Sequence, residues 1–117
     1  MNGLTVRWSL ADSPTEVLDE LASYVESTSY ARFSGLEGLR FKTWRARAGA
    51  WFEGTYVFID DAHRAAFQAS FEAIAAEAPA SQVVGSPPIL IEAWDVVAVA
   101  EGPEGFLASA RYQLSDQ

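Results

Sequence analysis

From residue 4 to residue 10 the chain reads LTVRWSL, with apolar and polar positions alternating at period two, the pattern of a half-buried β-strand. Ser13-Pro14-Thr15-Glu16 follows, combining a capping serine, a proline suited to the first helical position and a glutamate that completes a capping box, so a helix is predicted to start there. Val17, Leu18, Leu21, Val25 and Thr28 supply its apolar stripe at three-to-four spacing, Asp19, Glu20 and Glu26 lie outside it, and Gly35 and Gly38 bracket its exit. Residues 39–47 and 51–60 are dense in aromatic and β-branched side chains on either side of Ala48-Gly49-Ala50, which predicts a hairpin. Asp60-Asp61 then offers an N-cap and favourable negative charge to a second helix, whose stripe is Phe67, Ser70, Phe71, Ile74 and Ala78 and which Pro79 is expected to end. After a Ser/Gly/Pro-rich connection closing on Pro87-Pro88, residues 89–99 (ILIEAWDVVAV) are the densest β pattern in the chain. Past a Gly-Pro-Glu-Gly turn, Phe106, Ala108, Ala110, Tyr112 and Leu114 alternate with Leu107, Ser109, Arg111 and Gln113, as a fifth strand or an arm exchanged between copies would.

The order is therefore βαββαβ, an α+β fold with a four-stranded sheet. Within it, residues 55–59 and 89–99 are apolar on both parities, whereas a sheet with one wet face should alternate. Two helices cover only one face of such a sheet, so the pattern asks for a second layer, and a second copy of the same sheet supplies one: a homodimer is expected.

At 117 residues, 50% hydrophobic and 13% aromatic, the chain has material for one core and no room for two, so residues 1–117 are read as one domain with its core in about 3–100 and an extension at 101–117. No apolar run reaches the roughly 18 residues a membrane-spanning helix needs. The first residues lack the charged, apolar and small-residue regions of a signal peptide, and a cytoplasmic location is expected. The absence of cysteine rules out disulfides, thiolate nucleophiles, iron-sulfur clusters and cysteine-bound zinc. A net charge of -8 opposes binding to nucleic acid or anionic membrane, yet Arg40, Lys42, Arg45 and Arg47, four of eight basic residues, fall within eight positions. That cluster is too small to overturn the overall charge, and no nucleic-acid partner is expected.

Gly38-Leu39-Arg40-Phe41-Lys42-Thr43-Trp44, then Glu53-Gly54-Thr55-Tyr56-Val57-Phe58 and an acidic helix start at Asp60-Asp61, resemble the YdhR-type monooxygenase family of the dimeric α/β-barrel superfamily. The similarity is densest from Gly38 to about Phe71 and continues loosely through Ala93-Trp94-Asp95-Val96. Glu53-Gly54 stands where that family usually has a Gly-Gly pair, and residues 80–88 and the tail are longer. The resemblance implies a ferredoxin-like protomer with an antiparallel sheet, two of which join their sheets as a barrel. It also implies chemistry of the cofactor-independent oxygenase kind, or isomerisation or cyclisation, on an aromatic, phenolic or quinol-like molecule. The haem-degrading branch of the superfamily uses an Asn-Trp-His constellation, which a chain whose sole asparagine is Asn2 is poorly equipped to assemble.

The residues themselves offer modest chemistry. His63, the lone histidine, falls beside the stripe of the second helix, as a proton acceptor at a pocket or as a packed residue at a helix start. Trp44, Trp51 and Trp94, with Tyr56, are placed to wall an aromatic cavity or to fill core and interface. Arg40 and Lys42 share parity with Trp44, while Arg45 shares it with Phe41 and Thr43. A cation beside aromatic rings suits a carboxylate or phenolate ligand, and the competing arrangement pairs these cations with Glu53, Glu92 or Asp95 across the sheet. Glu92 and Asp95 interrupt the last strand on opposite parities and are further candidates for a base. No phosphate-binding glycine fingerprint, H-E-x-x-H, G-x-S-x-G or second histidine is present, so neither a metal nor a cofactor is expected. The expected site thus has His63 and Tyr56 as catalytic groups and Trp44, Trp51, Trp94, Arg45 and Arg40 around the substrate. A non-catalytic binding or interaction protein on the same barrel is the alternative.

Overall fold

The computed structural model describes residues 1–111. Its elements are β1 (Asn2–Ser9), α1 (Val17–Tyr24), a π-wound segment (Val25–Ser29), α2 (Tyr30–Ser34), β2 (Leu39–Arg47), β3 (Trp51–Phe58), α3 (Asp61–Ile74), a 3₁₀ turn (Ala75–Glu77), α4 (Pro79–Val84) and β4 (Leu90–Asp95). All pairings are antiparallel and the sheet order is β2-β3-β1-β4, so β3 fills the gap between β1 and β2 as in a ferredoxin-like fold. No helix is long and apolar enough to cross a membrane.

The helices lie on one face of the sheet. Leu4, Val6 and Trp8 of β1 and Phe52, Tyr56 and Phe58 of β3 point toward them, meeting Val17, Leu21, Val25 and Phe33, with Phe67 and Phe71 of α3 packed at the margin. Trp8 fixes α4 to the sheet, since its indole N–H donates to Ser81 Oγ at 2.9 Å and that hydroxyl donates to the Ala75 carbonyl at 2.6 Å. Five differences from the sequence pattern have local causes. The first helix begins at Val17 and Glu16 makes no side-chain cap, because residues 11–16 are spent on a turn in which the Val17 N–H donates to the Pro14 carbonyl. Its stripe runs Val17, Leu21, Val25, Ser29 and Phe33, because the wider π turn advances the buried position by one and leaves Thr28 outside. Pro79 opens a helix instead of ending one, as its missing N–H allows at a first helical position, and Ser70 and Ile74 consequently face out from α3 while Ala78 is buried beneath the turn. The last strand stops at Asp95, whose partner is Asn2, and the Val96 N–H donates to the Met1 carbonyl. Residues 96–111 form no strand. Phe106 lies 5.8 Å from Phe41 by ring centroids, and Tyr112 and Leu114 of the predicted alternation fall outside the described residues.

The second face of the sheet has no helix on it, yet β3 is buried there too, at Glu53 and Val57. The two-sided burial expected of residues 55–59 is met at Tyr56, Val57 and Phe58 of the central strand but not at the exposed Ile59, while β4 is an edge strand with no buried residue. Glu53 has 0% of its side chain exposed. Arg7 of β1 donates to its Oε1 through Nε at 2.8 Å, Arg45 of β2 donates to its Oε2 through Nε at 2.8 Å and through Nη2, and Thr55 Oγ1 donates to Oε2 at 3.3 Å. Burial alone would raise the Glu53 pKa, but the hydrogen bonds and charges of Arg45 and Arg7 outweigh it and hold the carboxyl below its ordinary value. Such a carboxylate stabilises the fold fully above its unfolded pKa, and the contribution is lost as pH falls through the lower folded pKa. Glu53→Gln is expected to cost about 2 kcal/mol at neutral pH, less than for a wholly buried pair because both arginines can turn to water. Urea denaturation from pH 7 to pH 2 checks this: the gap between wild type and variant should narrow progressively as pH falls below the ordinary glutamate value of about 4.3.

Candidate functional site

On the helix-covered face, Lys42 of β2 stands opposite Tyr56 of β3, and Trp44 stands opposite Gly54. The lysine as a whole is half-buried, but its amine is enclosed by rings: Nζ lies 3.5 Å from the Phe33 centroid, 4.2 Å from Tyr56 and 4.6 Å from Trp44. It donates to the Tyr56 hydroxyl at 3.0 Å. Gly54 makes this arrangement possible, because a β-carbon there would lie 3.0 Å from Lys42 Cε and 3.2 Å from the Tyr56 ring. No Lys42 ion pair exists among the described residues, and the charge acting on it is that of Arg32, of the same sign. Loss of hydration and then Arg32 both penalise the ammonium form, so the pKa is held well below the usual lysine value. Burial also pushes the Tyr56 hydroxyl upward, which keeps it an O–H. The pair is thus an amine shifted toward its unprotonated form beside a phenol that keeps its proton.

Two spaces adjoin it. A crevice of about 40 Å³ is bordered by Lys42, Tyr56, Phe33, Arg32, Ser29 and Trp44 among others. A wider cleft of about 410 Å³ opens beside it, between Leu18 and Ala22 of α1, Arg45 and Ala46 of β2, and Ser109 and Arg111 of the tail. Val25, Trp44 and Phe52 border both, and the Trp44 ring lies 4.6 Å from the amine.

Of the residues expected at the site, Trp44 and Tyr56 come together around Phe33, and Arg45 reaches the wider cleft. The others go elsewhere. Trp51 lies on the opposite face under the Arg7 guanidinium, 4.4 Å from its ring. Trp94 covers Gly3 on that same face, where a β-carbon would meet the indole at 2.0 Å, and its N–H donates to Thr5 Oγ1 at 2.9 Å. Arg40 is the extra residue of a bulge, since Leu39 and Phe41 pair with the consecutive residues Phe58 and Val57, and the bulge removes it from the parity of Lys42. His63 borders neither space: its ring packs on Gly38 and bonds Asp60 Oδ1 at 2.7 Å, while its backbone N–H donates to the same oxygen as the α3 cap. Glu92 and Asp95 are exposed on β4, where Asp95 accepts from Asn2 at 3.1 Å. In the sequence pattern Lys42 is one cation of a basic hairpin. The signal that could have singled it out is that it is the chain's only lysine, at aromatic-strand parity with Trp44 and opposite Tyr56 in the hairpin.

No family model matches the chain, and no curated protein does. Among solved structures the chain is similar to the crystal structure of the NE2512 protein of unknown function from Nitrosomonas europaea, at 25% identity and a TM-score of 0.61 over 86% of this chain and 93% of that one. The likeness extends the α+β fold to a second protein.

A depressed lysine pKa has a defined stability signature. The folded chain disfavours the proton, so stability rises with pH between the lowered folded pKa and the unfolded value of about 10.4, and is flat below that window. Thermal midpoints measured every half pH unit should climb for wild type relative to Lys42→Met across it, and parallel curves would show that the amine titrates normally.

Proposed function

We propose that the chain is a small-molecule enzyme of the cofactor-independent oxygenase kind, related to the YdhR-type monooxygenases it resembles and acting on an aromatic, phenolic or quinol-like substrate. The observation that carries this reading is the Lys42 amine, desolvated among Phe33, Tyr56 and Trp44, the last of which also borders a cleft of about 410 Å³. Such a reaction asks three things of a protein: an apolar wall, a base that is unprotonated near neutral pH, and exclusion of water. The neutral amine would take a proton from the substrate, whose electron-rich anion then passes electrons to dioxygen. A ring-activated CH₂ would become C=O, with one oxygen atom retained and the other released as water. With the proton returned at another carbon, the same base would give an isomerase.

A non-catalytic binding protein is the second reading, favoured by the size of the crevice at Lys42. About 40 Å³ holds a few waters and not a fused ring. The homodimer belongs to the same proposal: two copies would bring their helix-free faces together. Support comes from Val97 and Leu107, which are 98% and 84% exposed in the single chain.

Oxygen consumption with a panel of anthrone-type and hydroquinone substrates is expected with wild type and to fall about a hundredfold or more in Lys42→Met, the scale of a lost general base. Uptake that is unchanged in the variant removes the amine from the chemistry, and tight binding without uptake selects the binding protein. Light scattering should give about twice the 12.7 kDa chain mass, with Val97→Asp and Leu107→Asp shifting it toward the monomer.

A further inference from the structure

The lone pair that makes Lys42 a base also makes it a nucleophile, and its immediate surroundings suit that second use. Lysines that attack carbonyl carbon are activated by desolvation in an apolar pocket or by a neighbouring cation. Lys42 has both, in the rings of Phe33, Trp44 and Tyr56 and in the charge of Arg32. A hydroxyl is placed at the reacting nitrogen, Tyr56 at 3.0 Å. The crevice beside them, about 40 Å³, admits a molecule of roughly three or four heavy atoms, since one water needs about 10–15 Å³ measured in this way. That is too little for a ring and enough for a short aldehyde.

We propose that Lys42 forms a Schiff base with small aldehydes or ketones, with Tyr56 positioning and relaying the proton. The Nζ lone pair forms a bond to the carbonyl carbon, the C=O π pair moves to oxygen, and that oxygen takes a proton as nitrogen loses one, giving a carbinolamine. Protonation of the hydroxyl through Tyr56 lets it leave as water while nitrogen closes the C=N bond and gives up its remaining proton. The sum is amine plus aldehyde to imine plus water, with no change of oxidation state and no further reactant. The step shares an amine with the function proposed above but not its substrate or its oxygen, so either can fail alone.

Because Lys42 is the sole lysine, the α-amino group of the chain start is the one competing amine in the sequence, which makes the test clean. The full chain is incubated at pH 7 with glycolaldehyde and cyanoborohydride, which fixes any imine as a secondary amine, and peptide mass spectrometry compares labelling at Lys42 and at Met1 over time. Labelling of Lys42 is expected to be faster in the native chain than in urea, by about tenfold for each unit its pKa is lowered, because an ordinary lysine is almost wholly protonated at pH 7. Tyr56→Phe should keep the fold, checked by circular dichroism, and slow native labelling severalfold with the gain over urea reduced. Native labelling no faster than in urea, or confined to Met1, overturns the proposal. An undiminished rate in Tyr56→Phe overturns the proton-relay role of Tyr56. Oxygen uptake on the phenolic panel is read separately, so a negative trapping result leaves the oxygenase reading standing on its own data.

Discussion

A carboxylate with no exposed surface holds the bare face of the sheet together. Glu53 sits on the central strand β3, and its two oxygens are divided between Arg7 on one neighbouring strand and Arg45 on the other, so a single side chain ties three strands across their hydrogen-bond direction. The arginines that cover it are themselves partly in water, which lets the network screen a buried charge within the single chain with one thin layer of guanidinium. Trp51 stacks against Arg7, and Trp94 closes the β4 side over Gly3 and Thr5. Removing the charge would leave two cations facing each other across β3, which is why the pairing constrains register as well as stability.

With that face braced by polar groups, the apolar and reactive groups are concentrated under the helices. Gly54 follows Glu53 directly, and the two adjacent residues face opposite sides of β3. One side receives an acid that gathers cations, and the other receives a residue with no side chain, over which a cation's stem can cross to meet Tyr56. Glu53 and Gly54 together let the chain build its brace on one face and keep the space beside Lys42 on the other.

Much of the fold is written in periodicity. The alternation of residues 4–10, the hairpin around Gly49 and the capping aspartate at 60 each rest on interactions between neighbours in sequence, and each forms where the pattern puts it. The departures arise where distant pairing decides. Residues 96–99 have the composition of a strand, but the β1–β4 ladder ends at the Asn2 and Asp95 pair. A π turn, which no composition marks, moves the buried stripe from Thr28 to Ser29. For the site, parity correctly separated Arg45 from Trp44 but could not say which parity faced the helices. The bulge at Arg40 breaks the parity that joined it to Lys42, and the tryptophans therefore divide between the two faces instead of converging.

Lys42 and Arg45 show why the basic cluster could not be read as a unit. They lie three residues apart on one strand, and strand geometry sends them to opposite faces. Arg45 meets a carboxylate whose charge it satisfies. Lys42 meets three aromatic rings, one of them a phenol that accepts its hydrogen bond, and the field of Arg32, so only ring quadrupoles and one neutral hydrogen bond oppose the cost of dehydrating its charge. A cation-π contact of this kind contributes about 2 kcal/mol when desolvated. Burying an unpaired ammonium costs several kcal/mol, and the difference is relieved by releasing the proton. Arginine at position 42 could not respond in this way, since its pKa is too high to be brought into reach. The identity of the one lysine in the chain is thus tied to its place: of the two basic side chains, it is the one that the aromatic pocket can convert into a neutral base.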